Sequence, residues 1–284
     1  MNLLSIRRHW DSRYLFGDVQ YRTASGATYE GDAALSQLFS STHGQRTLFL
    51  IHGYNVDAAA VIAAYQKVEH EIGSLYDVVI GFLWPGFDAL GFVPAILSAN
   101  HAGMVLRDLL MPLHPASIAI ETHSLGARVA LRALCGIHAQ EVILTSPAVP
   151  DDCLSAGKEF EYASADVIHV CYSKNDPVLG RWYRAFEKAL ALLLLSHGDT
   201  ALGLNGPTGK YPSWIDAEDF TDEIRTHGGW NACPQYFACW KQWEGANMPN
   251  EKKQPKPLPV PQPTPEPQEH VEPPPGPPSG GGTE

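Results

Sequence analysis

Basic residues are scarce in this chain: 20 Lys and Arg stand against 31 Asp and Glu, a net charge of −11. Nucleic-acid binding draws on clustered Lys and Arg that neutralise phosphates, so DNA and RNA are not expected partners. The pairs Arg7-Arg8 and Lys252-Lys253 are too short to alter that. Cysteine is also scarce, with five residues at 135, 153, 171, 233 and 239, an odd number without paired spacing. Such a set is no disulfide framework. Cys135 and Cys171 lie in apolar runs and read as small core residues. Cys233 and Cys239 could meet, but they lack the CxxC or HxxxH companions of a zinc site. A reducing, cytoplasmic setting is expected.

Long apolar runs are missing as well. The most apolar one, Ala189 to Leu195, falls far short of the roughly 20 residues that cross a bilayer, so no membrane span is expected. Met1 to Trp10 sets its charges after a short apolar stretch, the reverse of a secretory leader. There is no phosphate-cradling glycine loop, no dinucleotide fingerprint and no cluster of metal ligands. No cofactor and no metal are implied.

Proline, by contrast, is concentrated: 12 of 23 fall between Pro255 and Pro278. Proline fixes φ and removes a backbone donor, so this stretch can join neither a sheet nor a long helix. The expected division is a folded domain over residues 1–245 and an extended, disordered Pro/Gly-rich tail over 246–284. The tail reads as a passive spacer; a protein partner with a proline-binding module is the alternative.

Within the domain, short continuous apolar runs alternate with helical periodicity. Strands are expected at Thr47–Ile51, Val78–Leu83, Ser117–Glu121, Glu141–Leu144 and Val167–Cys171, runs typical of strands buried on both faces. Helices are expected between them: one capped by Asp57 and ended by Gly73, one from about Pro94 to before Pro112, and one to Cys135. Arg181 to Leu195 reads as helix-rich, Trp214-Ile215-Asp216 as a last strand, and Pro234 to Trp243 as a final helix. Tyr14 to Thr28 could supply edge strands. This alternation predicts an α/β fold, a mostly parallel central sheet flanked by helices on both faces. Ligands of such sheets bind beyond the carboxyl ends of the strands.

The loops at that rim carry chemistry. Glu121-Thr122-His123-Ser124-Leu125-Gly126 joins a strand directly to a helix, as the pattern G-x-S-x-G does when a sharp turn lifts a nucleophilic serine out of the sheet. Gly126 fits the pattern and Thr122 departs from it. Ser124 is therefore the candidate nucleophile, with simple helix capping as the alternative. A serine needs a base and the base an orienting carboxylate, in the chain order Ser, acid, His. Asp176 leaves the end of the strand Val167–Cys171 and is the candidate acid; Asp151 and Asp152 are its rivals. Two histidines follow, His197 after the Leu-rich helix and His227 in a glycine-flanked loop, and His227 is preferred as base. A developing oxyanion needs backbone N–H donors, from the residue after the nucleophile and from a second loop. Leu125 and Tyr54 supply them, Gly53 allowing close approach, while His52 reads as a packing and hydrogen-bonding residue.

His52-Gly53-Tyr54-Asn55, Trp84-Pro85-Gly86, His123-Ser124-Leu125-Gly126 and Ser173-Lys174-Asn175-Asp176, in this order, resemble the α/β-hydrolase superfamily. The nearest likeness is a bacterial subgroup with an H-G-Y-N oxyanion loop and a late histidine-containing loop. The resemblance runs from about Arg46 to Trp243. It implies a Ser-His-Asp triad that hydrolyses an ester, thioester or amide, with a carboxylic ester of a small acyl substrate as the preferred reading. Trp84, Phe87, Leu90, Phe92, Trp182, Tyr183 and Phe186 could wall an acyl pocket, or serve as ordinary core. A reading from another class is an interaction protein that keeps the fold without turnover.

Overall fold

The computed structural model describes residues 1–11, 15–86, 91–183, 185 and 200–247. Among them nine strands form one sheet: β1 (Asn2–Arg7), β2 (Phe16–Arg22), β3 (Thr28–Glu30), β4 (Arg46–Ile51), β5 (Val78–Leu83), β6 (Ser117–His123), β7 (His138–Thr145), β8 (Ser164–Tyr172) and β9 (Ile215–Asp219). Their order is β3-β2-β1-β5-β4-β6-β7-β8-β9. The pairs β1–β2 and β2–β3 are antiparallel, and every other pairing is parallel. The helices are α1 (Gly31–Thr42), α2 (Ala58–Ile72), α3 (Phe92–Leu110), α4 (Gly126–Leu134), the short α5 (Leu202–Asn205) and α6 (Pro234–Asn247).

Period-two alternation divides the core into two layers. Phe49, Ile51, Ile120, Val142 and Leu144 face one side, where α1, α3 and α4 bring Leu38, Ala99, Ala102 and Val129. Leu48, Leu50, Ala119 and Ile143 face the other, where α2 and α6 bring Val61, Tyr65, Val68, Tyr236 and Trp240. The mostly parallel sheet flanked by helices on both faces is thus the architecture expected from the alternation. The helix expected after Asp57 begins at Ala58, with the Asp57 carboxylate accepting the Ala60 N–H at 2.8 Å. Such a cap contributes about 1 kcal/mol. α6 is fastened to its layer by polar contacts: Arg46 pairs with Glu244 at 2.8 Å, and the Tyr76 hydroxyl donates to Glu244 at 2.6 Å.

The first forty-five residues hold more structure than their pattern suggests. The expected edge strands appear as β2 and β3, but β1 and α1 were not anticipated. β1 is an interior strand, parallel to β5 on one side and antiparallel to β2 on the other. It hides because Ser5 and Arg7 break the apolar run, although both are fully buried. α6 also continues to Asn247, two residues past the boundary expected at 245, and Met1–Ala246 packs as one compact unit. The helix-rich stretch expected over Arg181–Leu195 lies largely outside the described residues, as do His197 and residues 248–284; Val178–Tyr183, which overlaps the start of that stretch, forms a π-helical turn.

Candidate active site

β6 ends at His123 and α4 begins at Gly126, leaving Ser124 and Leu125 to reverse the chain. Ser124 does so with φ of +56°, a left-handed conformation that costs a non-glycine residue free energy and is held only by its surroundings. The holding groups are visible. Ser124 N–H donates to the Thr145 carbonyl at 2.9 Å, and the Ser124 carbonyl accepts from Ala148 N–H at 3.0 Å. Two glycines make room. A Cβ on Gly126 would lie 2.6 Å from the carbonyl oxygens of Ile51 and His52, so only glycine lets α4 come this close to the end of β4. A Cβ on Gly53 would lie 2.8 Å from the Ser124 Cβ. Thr122, where the pattern has its first glycine, is accommodated: it is fully buried in β6, at the cost of a hydroxyl without a hydrogen-bond partner among the described residues.

The structure brings Ser124, His227 and Asp176 together in one line. Ser124 Oγ lies 2.8 Å from His227 Nε2, and His227 Nδ1 lies 2.7 Å from Asp176 Oδ2. An ionised carboxylate only accepts, so Nδ1 carries the ring proton and Nε2 turns its lone pair to the Ser124 hydroxyl. Asp176 is buried, and burial alone would raise its carboxyl. Hydrogen bonds from His227, from the Leu179 N–H and from the Ser146 hydroxyl outweigh that and hold it below the ordinary carboxylate range. Its Oδ1 accepts the N–H groups of Val178 and Leu179 at 2.9 and 3.0 Å, and its Oδ2 accepts Ser146 Oγ–H at 2.8 Å. Trp230 in turn donates its indole N–H to Ser146 Oγ at 3.0 Å.

The rival acids are engaged elsewhere: Asp151 with the Thr200 hydroxyl and Asp152 with the Lys158 ammonium. Leu125 follows Ser124 directly at the N-terminus of α4, and Tyr54 follows Gly53, which abuts Ser124. Both candidate N–H donors therefore belong to segments that flank the serine. Tyr54 also meets Phe92 edge-on with ring centroids 5.7 Å apart, and Phe92 meets Tyr183 at 6.3 Å. Trp84 does not join that apolar wall. It is fully buried, stacked on His52, with its indole N–H donated to the His52 carbonyl at 2.8 Å, because a large amphipathic ring behind the loop satisfies both needs at once. Phe87, Leu90, Phe186 and the Trp182 side chain lie outside the described residues.

Three further residues escaped the sequence reading. Ser146 directly follows β7, the strand beside β6, a rim position that the rule of carboxyl-end loops flags. His123 stands inside the elbow motif itself, and its Nε2 lies 2.7 Å from the His227 carbonyl. Glu121, two residues earlier in β6, faces a cavity of about 90 Å³ between α2 and the segment after His227, lined by Val56, Val61, Tyr65, Val68 and Trp230 among others. Burial there raises its carboxyl to about 8, despite hydrogen bonds from Thr145 and Tyr236 that favour the ionised form. No pattern in the sequence pointed to it. No group of metal-ligating side chains occurs among the described residues, all five cysteines are free thiols, and no described helix is long and apolar enough to cross a membrane.

No family model matches this chain, and no curated protein matches it. Several solved structures are similar in overall path. An uncharacterized protein from Bacillus cereus aligns over 73% of this chain with 14% identity and a TM-score of 0.43, and this chain spans 61% of that protein. An esterase from Pyrobaculum calidifontis aligns over 72% of this chain and 76% of its own, with 16% identity and a TM-score of 0.39. Carboxyl esterase 2 from Tuber melanosporum aligns over 81% and 79%, with 12% identity and a TM-score of 0.38. At such identities and scores none of them informs on activity.

Proposed function

We propose that this chain is a serine hydrolase of the α/β-hydrolase type that cleaves carboxylic esters through an acyl-enzyme. The observation that carries the reading is the line Ser124 Oγ, His227 Nε2, His227 Nδ1, Asp176 Oδ2, with distances of 2.8 and 2.7 Å. Those are the contacts a general base and its orienting acid require. Ser124 Oγ attacks the acyl carbon while its proton passes to His227 Nε2. Asp176 stays ionised and stabilises the imidazolium. The carbonyl oxygen, now an oxyanion, takes hydrogen bonds from the backbone N–H groups of Leu125 and Tyr54 in the H-G-Y-N loop. Collapse expels the alcohol, which takes the proton back from Nε2, and water then repeats the sequence on the acyl-serine. Phe92 and Tyr183, on the Tyr54 side of the serine, would contact the acyl chain.

The activity is assigned to residues 1–245, with 246–284 as an appended spacer that a proline-binding partner could hold. Labelling by a fluorophosphonate probe, together with hydrolysis of short p-nitrophenyl esters, tests the assignment. Ser124→Ala should remove both activities by several orders of magnitude with the fold intact. A folded Ser124→Ala protein with full turnover defeats the mechanism, and a wild-type chain inert toward esters, thioesters, amides and the probe favours an interaction protein instead.

A further inference from the structure

Arg7 is the last residue of β1, and its side chain is fully buried. Its Nε donates to the Trp84 carbonyl at 2.9 Å, and its Nη2 lies 3.0 Å from His52 Nε2. A guanidinium has donors and no acceptor, so His52 Nε2 must offer its lone pair, and the ring proton resides on Nδ1. The Trp84 backbone N–H points at the same Nε2 from 3.3 Å, which demands the same tautomer. His52 Nδ1–H then donates to the Gly53 carbonyl at 2.7 Å. Burial, and next the neighbouring Arg7 charge, lower the His52 imidazole to about 3, so the ring remains neutral and the tautomer does not lapse near neutral pH.

The Gly53 carbonyl and the Tyr54 N–H are the two ends of one planar peptide unit, and no described peptide is cis. Fixing the oxygen fixes the N–H, pointing the opposite way. The loop is pinned again one residue later, where Asn55 takes φ of +55° and donates its N–H to the Gly86 carbonyl at 2.8 Å. Gly86 must be small here, since a Cβ would stand 2.9 Å from the Gly53 oxygen.

We infer that Arg7 is a positioning residue for acyl transfer: it holds His52 in the tautomer that locks the Gly53–Tyr54 peptide, and so aims the Tyr54 N–H at the oxyanion. The inference rests on the hydrolase reading above. A buried cation from the opening strand thereby acts on the reaction without touching the substrate.

The test is a double-mutant cycle on the full chain, using p-nitrophenyl butyrate turnover and the rate of fluorophosphonate labelling. Arg7→Met should lower kcat about 10- to 100-fold, the scale of a small misplacement in an active site. KM should change little, and the pH profile should keep its shape because the His227–Asp176 pair is untouched. His52→Asn keeps a donor near the place of Nδ1 but offers Arg7 no acceptor at Nε2, and it should lose kcat similarly. Because both act through one peptide, the double variant should be no slower than the slower single. Losses that multiply, or a folded Arg7→Met protein with full kcat, overturn the inference. Should Arg7→Met fail to fold by circular dichroism, Arg7→Lys replaces it in the cycle, since an ammonium cannot serve Trp84 and His52 as a planar fork. Full kcat in that variant also overturns the inference. A wild-type chain that neither turns over nor labels defeats the hydrolase reading itself, whereas a reactive wild type with an unimpaired Arg7 variant defeats only the role of Arg7.

Discussion

His123 donates its Nε2–H to the backbone carbonyl of His227 across 2.7 Å, with the two imidazole rings 4.7 Å apart. The residue before the serine therefore holds the loop of the residue that faces the serine. Burial, and then the charge His227 can take up, lower the His123 imidazole to about 4. It is thus neutral near neutral pH.

The first prediction follows from this contact. His123→Gln keeps an N–H donor at nearly the same reach, and His123→Phe keeps the ring volume without it. The glutamine variant should retain most of kcat, while the phenylalanine variant should lose about tenfold or more through a displaced base. Steady-state turnover checks it, and equal rates for the two variants would remove His123 from the mechanism.

Ser146 supplies one of the hydrogen bonds that hold Asp176 ionised, and Trp230 orients that hydroxyl. Asp176 has its folded-state carboxyl depressed, so its contribution to stability is present above the ordinary Asp range and is lost as pH falls through the folded value. Ser146→Ala leaves the buried carboxylate one donor short, at a cost of about 1–3 kcal/mol. Its acid unfolding midpoint should move to higher pH than the wild type's. Acid titration followed by tryptophan fluorescence decides the point.

Glu121 works in the opposite sense. Its folded-state carboxyl is raised to about 8 against an ordinary 4.5, so the folded protein holds a proton that the unfolded chain releases. That contribution to stability is complete below the ordinary value and is lost as pH rises from there through about 8. Glu121→Gln, neutral at every pH, should flatten the decline of Tm between about pH 5 and 9. A variant whose Tm falls as steeply as the wild type's would show that other groups set the alkaline limb.

Thr122 and Gly126 flank the elbow symmetrically in sequence but not in space. Thr122 fits at the cost of an unpartnered hydroxyl, so the isosteric Thr122→Val should raise Tm with turnover unchanged. Gly126→Ala would press a methyl into two backbone carbonyls that cannot yield, and should lower Tm and kcat together. Thermal melts beside ester turnover test both, and a Gly126→Ala enzyme with wild-type values would mean that α4 can slide.

Five strands of the sheet are legible because they are continuous apolar runs, and Trp214-Ile215-Asp216 marks the start of β9. Ser124 and Asp176 are legible as candidates because each follows a strand end, and His227 because it lies in a glycine-flanked loop later in the chain. The structure sets His227 within hydrogen-bond distance of the other two. β1 is not legible, since Ser5 and Arg7 look like surface residues although both are fully buried. The links from His123 to His227 and from Ser146 to Asp176 join residues far apart in the chain, through contacts that no local pattern encodes. Trp84, which the sequence leaves open between pocket wall and core, is core: its indole faces inward to His52.

Ser124 and His227 are separated by 103 residues. With ribosomes adding about 5–20 residues each second, the nucleophile is translated roughly 5–20 s before its base. Arg7, His52, Ser124 and Asp176 all precede His227, so on the proposed mechanism the serine is made well before the group that would accept its proton. On the proposed mechanism, a chain that stops short of His227 should therefore fail to label with a fluorophosphonate probe. The proposed base would thus be the last member of the triad to leave the ribosome, with the loop that precedes α6.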